Sequence, residues 1–474
     1  MLFHKLDFVL FLAAVLVVYW ALVRLNVFRV LFVFVASCLF YMAWSPWYIF
    51  LILFSVVLDY SCGLLIERSK EQKHKKLFVT ISVVFNLGLL GIFKYANFFM
   101  EAATDIAGLF GVEAAAPHLN VLLPVGISFY TFQTMSYTID IYRGRLKATT
   151  NFLNFAFYVT FFPQLVAGPI VRAVQFLPQL EVRPRLTKDR VSEGIFLILT
   201  GLAKKVVIGD YLAVNLVDRV FDNPAAYTSA EVVVALYAYT MQLYCDFSGY
   251  TDIARGAGKL MGFELPENFA RPYVAKSPAE FWRRWHITLS SWLRDYLYYP
   301  LGGSKSTPYW KVYRNQWLTM FLIGMWHGAS WNFVIYSNLH AFAMVFHRYF
   351  YRRSGRTRHT VDPVWMRVLK IMACLNFVVF ARILFRATDL GNSWAVTKQL
   401  FDGSFSLAQV SWGLWLVLIG SCAAHYVPTG WYDRLKHEFM AAPAALQGAY
   451  LAVAAAGINF MSTTELVPYI YYQF

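Results

Sequence analysis

Long apolar blocks alternate along this chain with short polar or basic connections. A window of about 19 residues, enough helix to cross a bilayer core, selects 8–23, 27–43, 47–66, 77–93, 121–141, 193–213, 231–249, 331–347, 365–385, 409–427 and 444–461. Weaker segments lie at 151–170 and 316–327. Only helices and closed barrels satisfy their backbone in lipid. The blocks therefore predict an all-α polytopic membrane protein with roughly eleven to thirteen membrane helices, re-entrant hairpins among them. Neither a repeat period nor a low-complexity tract interrupts them. The expectation is one membrane domain over 1–474, with N-terminal spans (1–120), a core with re-entrant segments (121–350) and C-terminal spans (351–474). Phe8–Val23 imitates a signal peptide, but it lacks a small-residue cleavage site and Val27–Ala43 follows almost at once. It reads as an uncleaved first span.

Loop charge orients the spans, because short loops rich in Lys and Arg stay cytoplasmic. The loop Glu67–Lys76 (ERSKEQKHKK) is then inside, and Glu101–Asn120, which has Glu101, Asp105 and Glu113 but no Lys or Arg, is outside. Counting from these places both termini outside the cytoplasm. Two segments break the alternation. Residues 151–170 lie between basic stretches and contain Pro163, Gly168 and Pro169; residues 316–347 lie between Lys311/Arg314 and the basic run 348–358, with Gly324, Gly328 and Ser330 near their middle. Each reads as an in-and-back hairpin. A dozen helical residues carry the tip of the second about 18–20 Å inward, and His327 sits at that tip.

Composition agrees. The 474 residues are 58% hydrophobic and only 15% charged, against about 25% charged in soluble domains. The net charge of +15 is spread between apolar runs, which suits cytoplasmic loops and anionic lipid rather than nucleic acid. Five scattered cysteines with no CxxC spacing imply neither a disulfide frame nor a zinc site. No GxSxG, Walker or Rossmann motif is present.

The stretch Thr240–Gly303 is more polar than a lipid-facing segment needs to be. Gln242, Asp246, Ser248, Asp252 and Arg255 overlap the end of a span, where ionisable groups face a cavity or one another. Over Pro278–Tyr298, Trp282, Trp285, Leu289, Trp292 and Leu293 alternate with Arg283, Arg284 and Arg294, the spacing of an interfacial amphipathic helix. Two readings stand here: arginines that snorkel to headgroups, or a cytoplasmic mouth for a phosphate-bearing substrate. His327, in MWHGASWN beside Trp326, is either a packed core histidine or an intramembrane acid–base. His286, in RRWHITLS beside two arginines that disfavour its protonated form, has the same two readings. Asp246, Ser248, Asn315 and Asn332 are candidates to orient either ring. His340 and His347 share a helix face without a third ligand and read as structural.

Seven segments together resemble the membrane-bound O-acyltransferases, in particular the bacterial alginate O-acetyltransferase-like branch. They are LPVGISFYTFQTMSYTIDIYRG (Leu123–Gly144), FFPQLVAGPIVRAVQFLPQL (Phe161–Leu180), LYCDFSGYTDIARG (Leu243–Gly256), LPENFARPY (Leu265–Tyr273), EFWRRWHITLSSWLRDYLYYPLGGS (Glu280–Ser304), RNQWLTMFLIGMWHGASWNF (Arg314–Phe333) and the terminal YIYYQF. The resemblance runs nearly end to end. It implies an enzyme of the bacterial inner membrane, with no permanently bound cofactor, that moves an acyl group from cytoplasmic acetyl-CoA to an exported polysaccharide through a periplasmic SGNH-type partner. It makes His327 the catalytic histidine and His286 a second functional one. The tail is similar to the family's FxYxxF motif, with Tyr469 in place of the usual Phe and Tyr471 in the acceptor position.

The resulting expectation places His327, His286 and Tyr471 at the chemistry, and Arg283, Arg284, Trp282, Trp326, Asn332, Asp246 and Ser248 around the substrates. Lys204 and Lys205 are further candidates for the CoA phosphates. Alternatives within the family are O-acetylation of peptidoglycan and D-alanyl transfer to teichoic acid. Outside it, a lipid-linked sugar transporter would also explain broken helices and buried polar groups, and an export scaffold would release no CoA. The tail also reads as an aromatic belt.

Overall fold

The computed structural model describes residues 3–112, 115, 117–355, 362–461 and 468–470. Every regular element among them is helical, as the apolar blocks require. In chain order the first are α1 (Leu6–Ala21), α2 (Asn26–Met42), α3 (Ile49–Arg68), α4 (Gln72–Leu90), α5 (Ala96–Leu109), α6 (Ile127–Tyr142) and α7 (Phe152–Thr160). Then come α8 (Phe162–Leu165), α9 (Ala173–Glu181), α10 (Lys188–Leu202), α11 (Asp218–Asp222), α12 (Ser229–Leu260), α13 (Pro278–Arg284) and α14 (Ile287–Leu293). The last are α15 (Trp310–His327), α16 (Trp331–Arg353), α17 (Val364–Arg386), α18 (Leu390–Leu400), α19 (Trp412–Tyr426), α20 (Thr429–Ala441) and α21 (Ala444–Met461). Three stretches are long and apolar enough to cross a membrane: Pro46–Arg68, Gln72–Leu109 and Val364–Arg386. Shorter apolar helices are Leu6–Ala21, Asn26–Met42, Trp412–Tyr426 and Ala444–Ile458.

The chain divides into two compact units, Met1–Gly194 with Ala254–Pro266, and Ile195–Ile253 with Glu267–Phe474. In the first, α3 packs against α4 and α6, α2 against α7, and α9 against α6 and α7. Polar residues inside these apolar helices satisfy one another: the Asp59 carboxylate accepts from Ser82 Oγ at 2.5 Å and Asn86 Nδ2 at 2.9 Å. The block at 121–141 differs from its expected form. Residues 121–126 are not helical, because Pro124 keeps the residue before it out of the helical region, and α6 starts only at Ile127. From there α6 is buried on nearly every face, so it is a core helix rather than a lipid-facing one.

In the second unit, α15 and α16 form the expected hairpin, broken at residues 328–330, with His327 as the last residue of α15. The two helices approach closely at Gly324, where any side chain would collide with Ser337; small residues permit such an approach between membrane helices. Helices α13 and α17 pack on α16, and α18 on α17. The amphipathic helix expected over Pro278–Tyr298 is instead two short helices, α13 and α14, separated at Trp285 and His286. His286 takes a left-handed conformation (φ 43°, ψ 56°), which a continuous helix cannot contain. Trp282, Trp285, Leu289 and Trp292 are all buried, so the aromatic face packs against protein rather than lying in the headgroup layer.

Candidate active site

The break between α13 and α14 aims His286 inward. Its ring is fully buried, and Nδ1 lies 3.2 Å from Asn268 Oδ1. The same oxygen accepts from the backbone N–H of Thr288 at 3.2 Å and from Thr288 Oγ1 at 2.9 Å, while Ile287 N donates to Asn268 O at 2.9 Å. An amide oxygen only accepts, so the contact requires the proton on His286 Nδ1 and leaves the lone pair on Nε2. Burial pushes the imidazole down to about 3, so it is neutral through the physiological range. That cause is desolvation, not the neighbouring arginines.

His327, at the C-terminal end of α15, is also buried, and its ring centroid lies 6.4 Å from that of His286. Trp326 stands beside both, 5.5 Å from His286 and 5.2 Å from His327, with its plane nearly perpendicular to each. Phe385 of α17 packs on His327 at 5.3 Å, and Phe247 of α12 on His286 at 4.8 Å. Two imidazoles, separated by 41 residues in sequence, therefore share one aromatic-walled pocket. Such walls exclude water, which strengthens a proton transfer inside them.

A cavity of about 330 Å³ lies among α13, α14, α15 and α16 of the same unit. Its lining includes Trp282, Arg283, Ser290, Arg294, Gln316, Thr319, Met320, Ile323 and Arg348. The four α15 residues fall at i, i+3, i+4 and i+7, one stripe of a helix, and the stripe continues to Trp326 and His327. From Gln316 to His327 is about 16 Å along the axis. Arg348 is held by Tyr298 Oη at 3.0 Å and Gln316 Oε1 at 3.2 Å, and Arg294 by Asp295 at 2.8 Å. No carboxylate among the described residues engages Arg283, which is exposed. Arg348 is a basic cavity residue that the sequence reading did not select, and Arg294 is one that it placed on the amphipathic stretch but not among the substrate residues.

Arg284 has a different task. Its Nε and Nη2 donate to Glu280 Oε1 at 3.0 and 2.9 Å, and Nη1 to Ala270 O at 3.0 Å, so it ties α13 to the Asn268 loop. Trp282 Nε1 donates to His340 Nδ1 at 3.3 Å. Asn332 donates to Ala387 O at 3.1 Å and accepts from Ser393 Oγ at 3.1 Å, which ties α16 to α18. Asn315 donates to Leu301 O at 2.8 Å. Orientation of His286 falls to Asn268, a residue inside LPENFARPY that the sequence reading passed over.

Asp246 and Lys205 form a buried cluster. Lys205 Nζ is 2.5 Å from Asp246 Oδ1 and 2.8 Å from Asp210 Oδ1, and both Lys205 and Asp246 are almost wholly buried. Lys204 pairs with Asp252 at 2.6 Å. These lysines are therefore engaged by carboxylates, against the expectation that they hold phosphates. The other oxygen of Asp246 accepts the backbone N–H of Ile470 at 2.9 Å. Lys205 Nζ lies 4.5 Å from the centre of the Tyr469 ring, and Tyr250 meets that ring edge-on at 4.5 Å. The tail is thus clamped one residue before Tyr471, which lies outside the described residues. Ser248 is buried two residues beyond Asp246 in α12. Among the described residues no group of His, Cys, Asp and Glu could hold a metal ion.

The match to the membrane-bound O-acyltransferase family model spans residues 30–388 and includes both histidines. The chain belongs to the membrane-bound O-acyltransferase family. It is a membrane enzyme that transfers acyl groups to oxygen. It is 38% identical over 388 residues to the probable alginate O-acetylase AlgI of Pseudomonas aeruginosa, covering 81% of this chain and 72% of that protein. Identity to the peptidoglycan O-acetyltransferase of Helicobacter pylori is 35% over 399 residues, 79% of this chain and 74% of that one. To the teichoic acid D-alanyltransferase of Bacillus subtilis it is 30% over 282 residues, 57% of this chain and 70% of that one.

Proposed function

We propose that this O-acyltransferase takes an acetyl group from acetyl-CoA at the cytoplasmic face of a bacterial inner membrane. It delivers the group toward hydroxyls of an exported, alginate-like polysaccharide by way of a periplasmic SGNH-type partner. The observation that carries the reading is the pair of buried imidazoles, His286 and His327, 6.4 Å apart, at the ends of helices whose other residues line an arginine-bearing cavity. The 38% identity to a probable alginate O-acetylase supports the polymer class.

In this reading the CoA phosphates sit at Arg283, Arg294 and Arg348, and the thioester reaches His327 along the α15 stripe. His327 takes the proton of the accepting hydroxyl as its oxygen attacks the thioester carbonyl. The C–S bond breaks, and the departing thiolate receives that proton. His286, neutral and fixed by Asn268, lines the same pocket. Trp326 closes its wall. The accepting hydroxyl is that of Tyr471, the next residue in sequence after Ile470, whose backbone Asp246 holds, and the loop-charge orientation assigns both termini to the outside of the cytoplasm. Acetyl-CoA is a substrate here, not a resident cofactor.

The 35% identity to a peptidoglycan O-acetyltransferase favours one second reading, peptidoglycan as the polymer. Membranes carrying the chain, supplied with acetyl-labelled acetyl-CoA, periplasmic extract and either polymer, distinguish the two. Alkali-labile label on the polysaccharide supports the first reading, label on peptidoglycan alone the second, and label on neither contradicts both.

A further inference from the structure

The first unit contains a second cavity, of about 790 Å³, which the acyl-transfer reading does not use. Its wall is made by Trp20 and Val23 at the end of α1, the linker from Val182 to Thr187, and Arg190 in the first turn of α10. Three guanidiniums meet there: Arg183, Arg185 and Arg190. Arg190 donates to Gly262 O at 3.3 Å, whereas Arg183 and Arg185 form no ion pair among the described residues. Close by is a fourth, Arg29, only 1% exposed. It stacks over Tyr19 at 5.3 Å and donates Nη2 to Asn26 at 2.5 Å, and it lies near enough to Arg183 for the two charges to repel. Arg29 Nε and Nη1 have no hydrogen-bond partner among the described residues.

Three guanidiniums on one cavity wall, with a buried fourth close to Arg183 and no carboxylate paired to any of them among the described residues, repel one another unless an anion lies among them. Phosphate oxygens suit guanidinium donors. The rest of the wall decides which phosphate. Trp20, Val23, Val182, Pro184 and Leu186 give the cavity an apolar side that a free anion would not use. Leu25, Val27 and Phe28, next along the chain from this wall, are exposed and apolar, as a surface in contact with acyl chains would be. The basic linker also lies on the side that loop charge assigns to the cytoplasm, where anionic lipid is concentrated.

We propose that this cavity binds the phosphate of an anionic phospholipid, with the headgroup among Arg183, Arg185 and Arg190 and the acyl chains along the outer face of α1 and α2. The site shares no residue with the histidine pocket, and its occupancy does not depend on the acyl-transfer reading. Its occupant ties the linker between α9 and α10 to the end of α1.

The full-length protein in neutral detergent, titrated with phosphatidylglycerol or phosphatidylcholine and followed by native mass spectrometry, tests this. Phosphatidylglycerol is expected to bind at least tenfold more tightly than phosphatidylcholine. Replacing the two exposed arginines together, Arg183→Gln with Arg185→Gln, is expected to weaken phosphatidylglycerol roughly thirtyfold and leave phosphatidylcholine unchanged. The control pair Arg352→Gln with Arg353→Gln leaves both lipids unchanged. Equal binding of the two lipids, or undiminished phosphatidylglycerol binding by the Arg183/Arg185 variant, overturns the proposal. So does displacement of phosphatidylglycerol by inorganic phosphate or coenzyme A, which would make the occupant a soluble phosphate.

Discussion

The backbone N–H of Ile470 donates to Asp246 Oδ2 at 2.9 Å, across 224 residues of sequence. The other oxygen of that carboxylate is committed to Lys205, so one side chain both neutralises a buried lysine and holds the C-terminal tail. Leaving a buried charge wholly uncompensated costs about 3–5 kcal/mol, and because Asp210 also pairs with Lys205 at 2.8 Å, the loss of Asp246 costs less than that. Asp246→Ala should therefore lower the thermal midpoint, and limited proteolysis should remove the tail faster. Asp246→Asn, which keeps an acceptor for Ile470, should protect the tail better than Ala does. Equal tail cleavage in wild type and the Ala variant would show that the clamp does not hold the tail.

Asn268 should act through His286. Asn268→Ala removes the acceptor that fixes the imidazole tautomer, and turnover should fall roughly tenfold to a hundredfold with a smaller change in KM. Asn268→Asp restores an acceptor at the same place and should recover part of the loss. A purely structural role for Asn268 would instead lower the thermal midpoint of both variants alike and give no such separation.

The low basicity of His286 sets a sign for stability against pH. Its folded value, about 3, lies below the ordinary 6.5, so the unfolded chain binds the extra proton between them. The stability from keeping His286 neutral is complete above about pH 6.5 and falls by about 1.4 kcal/mol per pH unit as the medium is acidified toward 3. His286→Asn, which tolerates the left-handed backbone, should flatten the loss of thermal midpoint between pH 7 and pH 5. If wild type and variant lose the same amount, the imidazole titrates normally.

The arginines should separate by role. Arg283→Gln and Arg348→Gln line the cavity, and each should raise KM for acetyl-CoA about fivefold to tenfold with little change in kcat. Arg284→Gln breaks the ties to Glu280 and Ala270 and should lower the thermal midpoint instead. The KM and kcat of each variant, measured beside its melting curve, check both halves.

The sequence made the helical architecture and the position of His327 at a hairpin tip legible, because both follow from apolar periodicity and two glycines. It also pointed to His286 and Asp246, by polarity where lipid-facing residues were expected, and to Trp326 as the neighbour of His327. Four features escaped it for physical reasons. The break at His286 needs a left-handed residue, and nothing in RRWHITLS forbids a continuous helix there. The Asn268 contact crosses 18 residues, and the Lys205–Asp246 pair 41, so each exists only once the chain has folded. Arg284 and Arg283 are adjacent in sequence and alike in chemistry, yet the nearby Glu280 commits one and not the other. Helix α6 reads as a membrane span because a helix buried in protein and one buried in lipid carry the same apolar pattern.

The central claim, that His327 activates a hydroxyl for attack on acetyl-CoA and that the acetyl passes to Tyr471, is tested most directly by thiol release. Purified protein in nanodiscs is given acetyl-CoA, free CoA thiol is followed with time, and the C-terminal peptide is weighed by mass spectrometry. Wild type should release CoA and carry one acetyl group, about 42 Da, on Tyr471. His327→Ala should do neither while still binding the donor, and Tyr471→Phe should stay unmodified. Undiminished CoA release by the His327 variant would contradict the account.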